Sequence, residues 1–94
     1  MKRPYELGTV INKVLRDLHI EKKVYQSQAL VVWNEAVGEK ISKISKPERV
    51  VNGKLFVRVD SPGWRIELIH LKGSIIKRLN TRIGVDAITD IIFI

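Results

Sequence analysis

The sequence predicts a single small α+β domain of order α-α-β-β-α-β, with a mixed three-stranded sheet and helices on one of its faces. Three observations lead there. Ninety-four residues allow one modest core, because a chain of this length buries only a little over about 60% of the surface its unfolded form exposes. Asn52-Gly53, set between two apolar runs, offers the two positive φ angles of a type I′ turn and so marks a hairpin. After the hairpin come a long helical stripe and a last apolar run. A right-handed crossover would lay that run parallel to the second strand.

The elements follow from local pattern. Pro4 suits the first turn of a helix, where its missing N–H is no loss. Leu7, Val10, Ile11, Val14, Leu15 and Leu18 recur at three- and four-residue steps, an amphipathic stripe. His19 would close this first helix. A second helix is expected from about Glu21 to Val37, with Gly38 as its stop. Its centre, Ala29-Leu30-Val31-Val32-Trp33, is apolar on more than one face and must be covered from two sides or present an interface. Lys40, Lys43 and Lys46 then repeat every three residues; they share a face if helical and alternate if extended. Arg49–Val51 and Lys54–Val59 are the hairpin strands. Ser61 and Pro62 open the third helix as N-cap and first residue, and Gly84 ends it. Trp64, Leu68, Leu71, Ile75 and Leu79 fall within an arc of about 80° and form its core stripe. Ile88–Ile94 is the last strand, apolar almost throughout and so expected to be central or covered.

Composition narrows the function. Cysteine is absent, which excludes disulfide frameworks, zinc–thiolate sites, iron–sulfur clusters and thiol catalysis. No apolar run approaches the roughly 20 residues of a membrane span, and Met1–Glu6 lacks a signal-peptide core. A cytoplasmic protein without membrane contact is the expectation. The formal net charge is +7, unevenly placed: residues 40–82 carry eleven basic and three acidic groups. A basic middle on a near-neutral frame suggests a polyanion, most often nucleic acid; a lysine-rich surface serving stability alone is the bland alternative.

Catalytic and metal motifs do not assemble. The chain holds no phosphate-cradling GxxxxGK[ST] loop, no GxGxxG and no HExxH. Glu67 and His70 form one E-x-x-H, but a carboxylate di-iron bundle needs two such motifs and two further glutamates. His70 and Ser74 lie one turn apart without an orienting third group or oxyanion donors. The sequence therefore predicts a protein that is not an enzyme and uses no cofactor or metal. The third helix holds one anomaly: Arg65 and Lys72 lie between the core stripe and Ile69, Ile76 and Ile83. Two readings stay open, long stems covering apolar surface with wet heads, or a cation pair made for a phosphate or an acidic partner.

The run Val59-Asp60-Ser61-(x2)-Trp64-(x2)-Glu67-Leu68-(x2)-Leu71-Lys72, with Leu30-(x2)-Trp33-(x3)-Val37-Gly38, Lys46-Pro47, Asn52-Gly53-Lys54-Leu55 and Leu79-Asn80, resembles the DciA family, loaders or operators of the bacterial replicative helicase. The resemblance spans about Leu7 to Ile94. It implies a KH-like domain, binding to the hexameric DnaB-type helicase and to DNA, and no ATPase. Many members carry a basic extension after the domain, whereas this chain stops at Ile94, so one domain over residues 1–94 without a separate tail is expected. A KH module clamps nucleic acid with a G-x-x-G loop, which is absent here.

The leading expectation is a helicase adaptor that also binds single-stranded DNA, with an RNA-binding or ribosome-associated KH-like factor as the alternative. Lys40, Lys43, Lys46, Arg49, Lys54, Arg58, Arg65, Lys72, Arg78 and Arg82 are the candidate DNA contacts. Trp33, Trp64, Arg65 and Lys72 are the candidate partner contacts, and a homo-oligomer is possible through the apolar second helix.

Overall fold

A computed structural model describes the backbone of residues 4–94 and the side chains of residues 21–94. The elements are α1 (Pro4–Val37), α2 (Glu39–Ser42), β1 (Ser45–Val51), β2 (Lys54–Val59), α3 (Pro62–Ile83) and β3 (Asp90–Phe93). The order α-α-β-β-α-β is the expected one, but its first two members are divided differently. The two helices expected on either side of residue 20 are one, α1. Nothing at residues 19–21 could have parted them: His19, Ile20 and Glu21 include neither glycine nor proline, and none is an N-cap residue. The apolar stripe expected between Leu7 and Leu18 lies outside the described side chains. α1 stops where expected, at Gly38, whose φ of 87° is the left-handed region glycine enters freely. A single turn, α2, then takes the second place in the order.

The sheet runs β1-β2-β3, with β1 antiparallel to β2 and β3 parallel to it. Asn52 (φ 50°) and Gly53 (φ 80°) make the hairpin turn with both angles positive, as their types require. β1 starts earlier than the sequence suggested, at Ser45, and contains Pro47. An edge strand tolerates proline because its outward N–H has no ladder partner to lose. β3 is shorter than expected and lies at the other edge. Its apolar character reflects what covers it: Ile91 is buried, while Ile92, Phe93 and Ile94 are half-buried.

Along β2, Leu55, Val57 and Val59 are buried while Lys54 and Arg58 are exposed, so one face meets the helices and the other stays open. The core joins Leu55, Val57, Val59 and Ile91 of the sheet to Ala29, Trp33, Ala36 and Val37 of α1 and to Leu68, Ile75, Leu79 and Ile83 of α3. The α3 stripe is thus displaced toward Ile83. Leu71, on its other flank, is 39% exposed, and Trp64 is half-buried against the core. Of the apolar centre of α1, Ala29 and Trp33 are buried, Leu30 and Val32 pack on the core, and Val31 is 80% exposed.

Caps and clamps fix α3. Ser61 Oγ accepts from Trp64 N at 3.4 Å, and Gly84 closes the helix at φ 96° while donating its N–H to Asn80 O. Asn80 also holds the following loop, donating to Ile88 O at 2.8 Å and accepting from Ile88 N at 2.9 Å.

Candidate nucleic-acid and partner interface

The open face of the sheet is built by alternation and one irregularity. Lys46 lies opposite Arg58, and Arg49 opposite Phe56, but the register slips between Pro47 and Arg49. Glu48 is the extra residue, a β-bulge, and bulges re-aim side chains. Its carboxylate accepts from Arg58 Nε at 2.7 Å and Nη2 at 3.3 Å, and Arg49 Nη1 lies 3.8 Å from it. Arg58 foremost holds the Glu48 carboxyl below its ordinary range, and the pairing raises the Arg58 guanidinium. The Arg49 guanidinium carbon sits 4.2 Å from the centroid of the Phe56 ring, a cation–π contact. Lys46 and Lys54 are exposed on the same face. Four candidate DNA contacts, Lys46, Arg49, Lys54 and Arg58, therefore share one surface.

The other candidates lie elsewhere. The repeat Lys40, Lys43, Lys46 does not make a common face, because α2 ends at Ser42 and β1 begins at Ser45. Lys40 Nζ lies 5.4 Å from the Trp64 ring centroid, and Lys43 Nζ bonds Glu39 at 3.1 Å. Arg78 is exposed on α3, and Arg82 lies 3.7 Å from Glu35 of α1.

The anomaly on α3 resolves unequally. Lys72 Nζ meets Asp90 Oδ1 of β3 at 3.0 Å, so its placement is compensated inside the fold. First Lys72, then the Ile91 N–H, hold the Asp90 carboxyl below its ordinary range. Arg65 has no such partner for its Nε, which is buried and unbonded. Beside it α3 exposes Ile66 at 61% and Ile69 at 53%. Glu67, His70 and Ser74 are all exposed on the same helix.

Trp33, expected to meet a partner, is fully buried. Its Nε1 donates to Ser45 Oγ at 3.0 Å, and that hydroxyl donates onward to Ile41 O at 2.6 Å. The ring fills the space between α1 and the sheet, and a surface contact is closed to it. Trp64 is divided, its inner side on the core and its ring beneath Lys40. Sequence reasoning overlooked Glu48 and Phe56, which complete the open face. An acidic residue beside proline in a basic strand was the available signal for a bulge with an internal ion pair.

A family model described as "Dna[CI] antecedent, DciA" matches residues 6–93. A UPF0232 protein of Corynebacterium glutamicum is 28% identical over 85 residues, covering 90% of this chain and 48% of that protein. A UPF0232 protein of Streptomyces coelicolor is 31% identical over 83 residues, covering 86% of this chain and 44% of its own length. The chain thus spans a little under half the length of these curated relatives.

Proposed function

Because the chain belongs to the DciA family, we propose that it is a non-enzymatic adaptor in bacterial DNA replication, binding the hexameric replicative helicase and single-stranded DNA and promoting helicase loading at initiation. The observation that carries this reading is the family match over residues 6–93, which takes in the whole basic middle segment and all of α3. Two surfaces support a division of labour. The open sheet face, rich in cations, suits a phosphate backbone read without regard to sequence. The exposed Ile66 and Ile69 of α3, next to the unbonded Arg65 Nε, have the anatomy of a protein interface: an apolar centre with a basic rim. The half-exposed Trp64 one turn before Leu68 adds an aromatic anchor at its border.

Pull-down of the purified protein from its own cell extract, with and without nuclease, tests the reading. A hexameric helicase recovered in both lanes supports a direct contact. Recovery only without nuclease would make nucleic acid the bridge and remove the adaptor role. Structured RNA in place of helicase would favour the RNA-binding alternative.

A further inference from the structure

The bulge in β1 holds an arrangement that packing does not ask for. Arg58 presents Nε and Nη2 to the Glu48 carboxylate at 2.7 and 3.3 Å, the two-pronged geometry a guanidinium offers equally to a phosphate. The next residue, Arg49, lies 3.8 Å from that carboxylate through Nη1 and rests its guanidinium on the Phe56 ring at 4.2 Å. Two cations thus converge on one anion, and a flat cationic shelf adjoins them. Lys46 and Lys54 flank the group, and Asp60, just past the end of β2, is the other acid whose charge acts on Arg58.

We propose that the bulge is a seat for one nucleotide of a single strand, and that Glu48 occupies its phosphate position in the free protein. A backbone phosphate displaces the carboxylate from Arg58, and the neighbouring base stacks on the Arg49 guanidinium above Phe56. The inference rests on the DNA-binding half of the function proposed above and adds to it a location and an internal competitor. An exposed ion pair contributes little to stability, so exchanging one anion for another leaves the fold intact. The shelf selects the ligand: an acidic peptide could take the anion position but brings no ring for the stack, and a duplex keeps its bases stacked within itself.

The test is fluorescence polarisation with a labelled oligothymidylate of about 12 nucleotides and an abasic strand of equal length, at moderate salt, with melting curves for every variant. Glu48→Gln is expected to tighten both strands about three- to tenfold. Glu67→Gln makes the same charge change on α3, away from the open face, and is expected to act by less than about twofold. Phe56→Leu should weaken the thymidylate severalfold and leave the abasic strand unchanged. Should that variant melt early, Arg49→Lys, which keeps the charge and removes the planar shelf at an exposed position, carries the same comparison. Equal effects of Glu48→Gln and Glu67→Gln would reduce the result to net charge and overturn the seat alone. Equal losses on both strands would remove the stack, and displacement of the thymidylate by poly-glutamate as readily as by unlabelled strand would make the surface one for acidic proteins. Failure of the unaltered protein to bind either strand defeats the seat together with the DNA-binding reading.

Discussion

Trp33 and Trp64 divide the work of large aromatic residues between core and border. Trp33 is 0% exposed and its indole N–H is satisfied by Ser45. Trp33→Ala is therefore expected to cost about 3–5 kcal/mol, enough to unfold most of a small domain. Trp64→Ala, losing a half-buried ring and one cation–π contact, is expected to cost about 1–2 kcal/mol; chemical denaturation of both variants checks the ranking. Their spacing could not distinguish them, since each sits on an apolar helical stripe. What separates them is the position of Trp64 on the flank of α3, which only the crossing of that helix over the sheet decides. Asp90 makes a second residue-scale case. Its carboxyl is depressed in the folded state by Lys72 and the Ile91 N–H. The stability it adds is therefore present above the unfolded carboxyl pKa and is lost as pH falls through the folded value. Asp90→Asn should lower the melting temperature at neutral pH and shrink its fall on acidification relative to the unaltered protein. Parallel melting curves from neutral to acid pH would show it.

Among the elements, α3 was the most legible and the first helices the least. Ser61, Pro62 and Gly84 mark the ends of α3 by chemistry that no tertiary contact needs to supply. The break expected before Glu21 had no such punctuation, and the helix runs on unbroken from Pro4 to Val37. The last strand left one alternative open for a different reason: high apolarity reports cover without saying whether a strand is central, and β3 is covered while remaining at the edge. Its attachment depends on Asn80, whose amide pairs with both backbone groups of Ile88. Nothing in the spacing of Leu79-Asn80 announces that clamp. Asn80→Leu leaves the half-buried Ile88 bonds without their partner and is expected to cost about 1–3 kcal/mol, read by thermal or urea unfolding at an unchanged far-ultraviolet spectrum.

At the scale of the whole molecule, the excess charge of residues 40–82 was plain in the sequence, but its distribution was not. Lys46, Arg49, Lys54 and Arg58 meet on one face because the hairpin aligns them. Lys40 and Lys72 are drawn away to Trp64 and Asp90. Four cations facing one strand should neutralise about four phosphates, so the logarithm of affinity for single-stranded DNA is expected to fall with that of salt at a slope of about −3. Titrations over a range of salt concentrations measure the slope, and a flat response would contradict binding through this face.

The parallel pairing of β3 also sets an order in time. The β1–β2 hairpin closes across a two-residue turn, whereas Lys54 meets Asp90 only after the 35 residues between them have been brought round. Loop closure over that distance carries the larger entropic cost. The hairpin is therefore expected to form early, and β3 to dock last and release first. Native-state hydrogen exchange should find the β3-bound amides, such as Ile94 N on Val57 O, opening at lower free energy than those shared by β1 and β2. Each such opening would bare the inner edge of β2 for a moment, so the last four-residue strand governs how often the sheet is exposed to pairing with another chain.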